Sequence, residues 1–257
     1  MKASIRRLRY RGYYFFKRLR RAIRPQKQKK AIYVYSYPKS GRTWLRLMLD
    51  SLNKKGVSIA YVHGDAAPKK GRHFSSMTFN LSKLQDRKVI FLIRDPRDTV
   101  VSAYHDAVNR DRVFDQGISK FIRHPRFGIE KVLRFHQLCH ENHPLVPQSI
   151  ILRYEALKKD SIREMQKPIK LLNWEVSDQE LAHTIESHSF RNMKKMEMTG
   201  NVKKDYAYAL SPGNPKIPDS YKVRKGQVGG YKTELSEEDI EFCNHMMKVK
   251  SNPFYQI

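Results

Sequence analysis

A lysine, a glycine and several hydroxyl side chains stand together between an apolar run and a segment of helical period. The run Ala31-Ile-Tyr-Val-Tyr35 has the composition of a buried strand, and Arg42 to Leu52 has helical spacing. Between them lies Ser36-Tyr-Pro-Lys-Ser-Gly-Arg-Thr-Trp44. A loop that leads from a strand into a helix N-terminus offers backbone N–H groups and a favourable dipole to an anion. The segment therefore predicts a phosphate-binding loop.

The residues of this loop have separate uses. Lys39 puts a cation at a bound phosphate or at the bridging oxygen beyond it, and Gly41 lets the backbone approach closely. Ser40 and Thr43 add hydroxyl donors. The nucleotide-triphosphatase pattern GxxxxGK[ST] is absent, because Lys39 precedes Gly41 and no Lys-Ser or Lys-Thr pair follows the glycine. This order disfavours an ordinary ATP or GTP loop.

Two other segments carry cations where a strand ends or beside glycine. The apolar run 89–93 leads into Arg94-Asp-Pro-Arg-Asp-Thr-Val-Val-Ser102, in which Ser102 follows Arg94 by about two helical turns. Taken alone, a structural salt bridge for Arg94 and a surface hydroxyl for Ser102 are the more ordinary interpretations. Near the C-terminus, Arg224-Lys-Gly-Gln-Val-Gly-Gly-Tyr-Lys232 is a glycine-bearing cationic loop.

Together these segments resemble the sulfotransferases that use 3′-phosphoadenosine-5′-phosphosulfate (PAPS), and in pattern the bacterial-type members most of all. Many members read Tyr-Pro-Lys-Ser-Gly-Thr-Thr-Trp in the 5′-phosphosulfate loop, and seven of these eight residues agree here, with Arg42 in place of a Thr. The resemblance implies binding of the donor nucleotide by Lys39, Ser40, Gly41, Arg42, Thr43 and Trp44.

The resemblance also assigns the other end of the nucleotide. Members have an Arg at the end of this strand and a Ser eight positions later, both on the 3′-phosphate, and Arg94 and Ser102 match them. Tyr154 and Phe190 stand where members have aromatic residues beside adenine. The C-terminal element that closes over the 3′-phosphate is matched by Arg224, Lys225 and Gly226.

Transfer of a sulfuryl group to a hydroxyl or amine needs a base, and the near-neutral pKa of histidine suits that role. His63 directly follows the strand-like run 57–62, and we expect Asp65 to orient its ring. His73 is the alternative, since vertebrate-type cytosolic members place their His closer to the 3′-phosphate Arg, whereas many bacterial-looking members have a strand-end His. We favour His63 because a strand end holds a side chain rigidly. The implied mechanism is in-line displacement at sulfur, with His63 as base and Lys39 on the leaving oxygen.

Strand-like runs at 31–35, 57–62, 89–93 and 149–152 alternate with segments of helical period. This order predicts a central parallel sheet flanked by helices in a single α/β domain, residues 31–257. The resemblance implies that this fold is like that of the P-loop nucleotide hydrolases. We expect ligands at the carboxyl ends of the strands. Other helical segments are expected at 99–108, 129–139, 162–172, 179–185 and 237–247.

The composition indicates which kinds of partner and which cellular compartment to expect. The net charge of +26 implies anionic partners. The two cysteines are far apart, with no CxxC and no His at metal-ligand spacing, so neither a disulfide framework nor a metal site is indicated. No apolar run approaches the length of a membrane span. We therefore expect a cytoplasmic enzyme that needs no metal.

Residues 1–30 contain thirteen Lys or Arg and no acid, with apolar residues at helical intervals. One interpretation is an amphipathic helix on an anionic membrane, which would make the enzyme peripheral. The alternatives are a helix packed on the domain and a solvated basic tail.

Two rival functions remain at this stage. A P-loop kinase-like phosphotransferase would also use a phosphate loop, but the lysine order speaks against it. A non-enzymatic protein that binds nucleic acid or anionic lipid would suit the charge, yet it leaves three ordered motifs unexplained, so nucleic acid is a disfavoured partner. By analogy, residues 105–145 and 197–220 line the acceptor side, and their basicity suits an acidic or membrane-borne glycan.

Overall fold

The computed structural model is built on a sheet of four parallel strands. It describes residues 32–66, 73–79, 84–202, 206 and 210–257, all within the unit Ala31–Ile257. The order across the sheet is β2-β1-β3-β4, and every neighbouring pair is parallel, which confirms the predicted parallel sheet. The strands are β1 (Ile32–Ser36), β2 (Ile59–Val62), β3 (Lys88–Ile93) and β4 (Ser149–Arg153).

Helices flank the sheet and follow most of the strands, as the alternation of patterns predicts. Within the described residues, the helices are α1 (Arg42–Leu52), α2 (Pro96–Asp106), α3 (Ile118–Ile122), α4 (Ile129–Asn142), α5 (Tyr154–Lys159), α6 (Ser161–Leu172), α7 (Asp178–Ser187), α8 (Phe190–Thr199) and α9 (Glu237–Val249). A π-helical turn, Ala107–Asp111, continues α2.

The core lies on both faces of the sheet. Phe91 and Ile93 of β3 belong to one apolar cluster with α4 and α9, and Ile90 and Leu92 belong to another with α1 and α6. All four side chains are fully buried. Because successive residues of a strand point to opposite faces, burial on both faces produces an unbroken apolar run in the sequence.

The predicted helix Arg42–Leu52 has those bounds in the structure, whereas α3, α5 and α8 were not predicted. The predictions for residues 1–30 lie outside the described residues. Among the residues that the structure describes, no helix is both long enough and apolar enough to span a bilayer.

Candidate active site

The loop between β1 and α1 has a backbone that requires glycine at one point. Lys39 and Gly41 both have positive φ, 73° and 89°, and Gly41 is the N-cap of α1. A Cβ atom at Gly41 would lie 2.5 Å from the Tyr154 ring. Gly41 thus allows the loop to turn into the helix while the ring packs against it.

Several buried polar atoms around this loop have no hydrogen-bond partner among the described residues. They are the hydroxyls of Ser36 and Ser40, Nη1 of Arg42, the indole nitrogen of Trp44 and Nε of Arg94. Buried polar groups are nearly always paired, so a concentration of orphaned donors indicates a ligand. Hydroxyl, guanidinium and indole N–H donors suit an anion such as a phosphate.

Lys39 is held by a carboxylate from α2. Its Nζ lies 2.9 Å from Oδ1 of Asp106, and Nε of Arg110 lies 2.9 Å from the same oxygen. Burial opposes ionisation of Asp106, but the charges of Lys39, Lys222 and Arg110 outweigh it and hold the pKa of Asp106 well below its usual range. The carboxylate therefore stays ionised and positions the Lys39 ammonium.

His63 contacts both the end of β1 and the start of α1. Its Nδ1 lies 2.8 Å from the carbonyl oxygen of Ser36, and its Nε2 lies 2.5 Å from Nη2 of Arg42. Since a carbonyl only accepts, Nδ1 carries the proton and Nε2 accepts from the guanidinium. Burial and the charge of Arg42 lower the pKa of His63 to about 3. The expectation that Asp65 orients this ring was wrong: Ser36 does so, while Asp65 accepts the backbone N–H of Thr78 at 3.3 Å.

The alternative base, His73, is exposed and makes its contacts within its own turn. It caps the short 3₁₀ turn Phe74–Ser76, and its ring centre lies 4.4 Å from that of Phe74. Its Nδ1 lies 2.9 Å from the hydroxyl of Ser75. Of the two candidate bases, His63 is the one in contact with the phosphate loop.

Arg94 joins the three predicted motifs. Its Nη1 donates to the Lys39 carbonyl at 3.2 Å and its Nη2 to the Gln227 carbonyl at 3.0 Å. The guanidinium carbon lies 4.4 Å from the centre of the Tyr154 ring, and the Tyr154 hydroxyl donates to the Gly226 carbonyl at 3.3 Å. The phosphate loop, the end of β3 and the C-terminal loop therefore meet at one place.

The predicted adenine residues lie next to this junction. A Cβ atom at Gly226, whose φ is 61°, would lie 2.5 Å from the Phe190 ring. Trp44 packs edge to face on Tyr154, with 5.9 Å between ring centres. The Lys158 ammonium lies 5.2 Å from the centre of the Phe190 ring and 5.8 Å from that of Trp44. The rings thus border one region in which a flat base could stack.

The predicted 3′-phosphate cations are paired with a carboxylate that the sequence did not point to. Arg224 contacts the Glu234 carboxylate through both terminal nitrogens, at 2.9 and 2.8 Å. The Lys225 ammonium contacts the same carboxylate at 3.1 Å. Nε2 of His105 lies 2.6 Å from the same carboxylate. Burial opposes ionisation of Glu234, but these hydrogen bonds prevail and lower its pKa far below the ordinary value.

The C-terminal loop is fixed to α2 by Asp98, a second residue that the motifs did not assign. Its buried carboxylate accepts the backbone N–H groups of Gly229 at 2.8 Å and Tyr231 at 3.0 Å. Ser102 lies one turn further along the same helix and is partly exposed. No contact among the described residues connects it with the other predicted phosphate ligands, and Thr43 is likewise partly exposed on α1.

Residues 72–252 match the model of a family described as the sulfotransferase domain. The chain belongs to the sulfotransferase family. It is therefore an enzyme of this class, and the prediction from its three motifs is confirmed. Among curated relatives, this sulfotransferase is 23% identical to sulfotransferase 2A1 of Homo sapiens over 256 residues, covering 85% of this chain and 83% of the relative. It is 25% identical to sulfotransferase 1A1 of Bos taurus, and the match covers 65% of this chain and 66% of the relative.

Solved structures confirm the fold of this sulfotransferase. A mouse sulfotransferase, SULT7A1, complexed with PAP superposes with a TM-score of 0.66 at 18% identity, covering 88% of this chain and 86% of that one. A retinol dehydratase in complex with androsterone and inactive cofactor PAP gives the same TM-score of 0.66 at 16% identity, covering 89% and 82%. The predicted P-loop-like α/β architecture is thereby confirmed.

An open cleft lies beside the phosphate loop of this sulfotransferase. It encloses about 370 Å³, including the part open to solvent. Its lining mixes aromatic and charged side chains. Besides Pro38 and three alanines, the residues that line it are Tyr37, Lys39, Asp106, Asp111, Phe121, Arg126, Phe127 and Lys131. Within the described part of the chain, no three His, Cys, Asp or Glu side chains are grouped as metal ligands.

Proposed function

We propose that this sulfotransferase moves the sulfuryl group of PAPS to a hydroxyl or amine of an acceptor. The observation that carries the proposal is the pair of hydrogen bonds from Arg94 to the carbonyls of Lys39 and Gln227, 3.2 and 3.0 Å long. They hold together the two loops that we assign to the 5′-phosphosulfate and to the 3′-phosphate. Such an arrangement suits a nucleotide phosphorylated at both ends, and PAP is the compound named with two structures of similar fold.

The orphaned donors fit this ligand. The Ser40 hydroxyl, Nη1 of Arg42 and Nε of Arg94 are buried without partners in the described residues, and anions are the ligands that such donors bind. Lys39 and the N-terminus of α1 supply positive potential to the 5′ end. The ligands that we assign to the 3′-phosphate are Arg224, Lys225 and Ser102. The rings that border the adenine base are those of Tyr154, Trp44 and Phe190.

The proposed chemical step uses His63 as the base and Lys39 as the electrophilic partner. Nε2 of His63 takes the proton of the acceptor while the acceptor oxygen or nitrogen bonds to sulfur. The bond between sulfur and the bridging oxygen breaks, and Lys39 with the loop N–H groups stabilises the negative charge on that oxygen. Nε2 becomes available when the Arg42 guanidinium turns from the imidazole to the incoming anion, which attracts it.

The acceptor that suits the cleft is polar and carries rings. Phe127 is partly exposed and offers a flat apolar surface, and the exposed Arg126 brings a cation to the same cleft. Tyr37, Phe121 and Lys131 are buried behind this lining. These features support an acidic glycan or glycolipid as the acceptor. A membrane-borne acceptor would also agree with contact between residues 1–30 and anionic lipid at the cytoplasmic surface.

Calorimetry with PAP, with Mg-ATP and with an oligonucleotide tests the proposal. We expect metal-independent binding of PAP that survives EDTA and that is lost in Lys39→Ala. Lys54→Ala is the matched control, because Lys54 pairs with Glu180 on the surface. Preference for Mg-ATP would instead support a kinase-like phosphotransferase, and preference for the oligonucleotide a nucleic-acid binding protein. Radiolabelled PAPS offered with glycans, glycolipids and phenols then identifies the acceptor.

A further inference from the structure

Glu234 stands at the end of the C-terminal loop, and its backbone is held in place. It caps the 3₁₀ turn Gly230–Thr233, and its backbone N–H donates to the Tyr231 carbonyl at 3.1 Å. The N–H of Tyr231 donates in turn to the buried carboxylate of Asp98 on α2, at 3.0 Å. Because the backbone at Glu234 is tied to α2 in this way, rotation of the side chain is the simplest way for its carboxylate to move.

The Glu234 carboxylate engages the donors that we assign to the 3′-phosphate. Arg224 presents both terminal nitrogens to it, at 2.9 and 2.8 Å, and the Lys225 ammonium lies 3.1 Å from it. A guanidinium binds carboxylates and phosphates alike through two parallel N–H groups. Arg224 therefore cannot offer this pair of nitrogens to a phosphate while it holds Glu234.

A second carboxylate lies against the same guanidinium. Oδ1 of Asp219 is 3.4 Å from Nη1 of Arg224. His105 of α2 contacts both acids, since its Nε2 lies 2.6 Å from Glu234 and its Nδ1 lies 3.9 Å from Asp219. In this group of described residues, and leaving the histidine aside, Arg224 and Lys225 are balanced by two carboxylates. An entering phosphate therefore gains little attraction here until one carboxylate moves away.

Glu234 is the acid whose place a 3′-phosphate would need. Its side chain is 11% exposed and contacts both cations, whereas that of Asp219 is 48% exposed. The third ligand that we assign to the phosphate, Ser102, precedes His105 by three residues, so the two lie on one face of α2. The Glu234 carboxylate is thus placed among the groups that a 3′-phosphate would use.

We propose that Glu234 is an internal competitor of the 3′-phosphate: its carboxylate holds Arg224 and Lys225 in the free enzyme and gives them up when the nucleotide binds. A phosphate monoester has three acceptor oxygens and nearly two negative charges, so it can displace a carboxylate, which has two oxygens and one charge. The exchange weakens the hold on PAP and so speeds its release after transfer. No motif includes Glu234, and the inference rests on the proposed function.

The sign of the change in nucleotide affinity tests this inference. Calorimetry with the full chain compares PAP with adenosine 5′-monophosphate, which has no 3′-phosphate. We expect Glu234→Gln to bind PAP about 3- to 10-fold more tightly than the wild type, because a neutral amide holds the two cations less strongly. The affinity for adenosine 5′-monophosphate should not change. If Glu234 instead served only to orient Arg224, its loss would weaken the binding of PAP.

Two further variants complete the experiment. Glu237→Gln removes an equal charge from an exposed position three residues further along the chain, and it should leave the affinity for PAP unchanged. Asp219→Asn should tighten PAP binding by a smaller factor, because its contact with Arg224 is longer and more exposed. Asp219→Asn decides alone if Glu234→Gln does not fold.

The outcomes separate this inference from the proposed function. Unchanged or weaker binding of PAP by Glu234→Gln would overturn the competition alone, and so would an equal gain for adenosine 5′-monophosphate. An equal gain in Glu237→Gln would show a general effect of charge and would also overturn it. Failure of the wild type to bind PAP would overturn the proposed function and this inference with it.

Discussion

Nη2 of Arg42 lies 2.5 Å from Nε2 of His63, on the lone pair that a general base would use. The other ring nitrogen donates to the Ser36 carbonyl, so the imidazole is fixed from both sides. Position 42 is the one difference from the loop sequence of many family members, which have a Thr there. This single residue therefore couples the phosphate loop to the proposed base.

Replacement of Arg42 by Thr should raise the pKa of His63. The value of about 3 reflects burial first and the Arg42 charge second, so we expect it to increase but to stay below 6.5. NMR titration of the ring measures this. An imidazole acts as a base only when it is neutral, so the acid limb of the pH–activity profile should lie at a higher pH in Arg42→Thr than in the wild type.

Arg46→Gln is the control for that change, because Arg46 lies one turn further along α1 and pairs with Asp50. The ring of His63 should titrate there as in the wild type. An unchanged titration in Arg42→Thr would mean that the guanidinium does not govern the base.

The two candidate bases are separated by paired alanine variants. His63→Ala should lower kcat/KM by about 10²–10⁴-fold, the usual contribution of a general base, while PAP affinity is largely retained. His73→Ala should have little effect, because His73 is exposed and its contacts among the described residues lie within its own turn. The opposite pattern of rates would transfer the role to His73.

Gly226→Ala should weaken nucleotide binding by displacing Phe190. Its Cβ would lie 2.5 Å from that ring, and the loss of one aromatic stacking partner costs about 1–3 kcal/mol, which is roughly a 5- to 150-fold increase in the Kd of PAP. Gly229→Ala is the matched control, since it also has positive φ but its Cβ would meet nothing within 4 Å. Both variants share the backbone strain, so equal losses of affinity would contradict a role for the ring.

Glu234→Gln should lower thermal stability at pH 7 and less so in acid. The folded pKa of Glu234 lies below its ordinary value of 4.5, so its stabilising effect is complete above that pH and is lost as the pH falls through the folded pKa. The difference in Tm between wild type and variant should therefore shrink from pH 7 to pH 3. Glu241→Gln, on an exposed part of α9, should show no such trend. A difference that is constant with pH would count against the Arg224 and Lys225 pairs as its source.

The part of the site that could be predicted from the sequence is local. The strand, the loop and the helix from Ile32 to Leu52 follow one another directly, so their patterns and their spacing carry the geometry with them. The buried strand β3 and the cation at its end, Arg94, were likewise predictable, because an apolar run that stops at an arginine is visible without any knowledge of its neighbours.

The parts that were missed depend on contacts between distant segments. Glu234 contacts His105 of α2, which lies far earlier in the chain, and Asp98 accepts N–H groups from residues far along the chain. The predicted partner of the His63 ring, Asp65, was wrong for a related reason. A backbone carbonyl is present at every residue and has no signature in the sequence, so Asp65 was the more visible candidate.

The Tyr154 ring has a consequence for the engineering of this enzyme. It packs against Gly41, carries the Arg94 guanidinium on its face and anchors the Gly226 carbonyl through its hydroxyl. A donor loop transplanted from a relative would have to accommodate this ring together with both of its other neighbours. The proposed nucleotide side would therefore have to be changed as one unit, and changes of specificity are best sought in the cleft, at side chains that do not contact this ring.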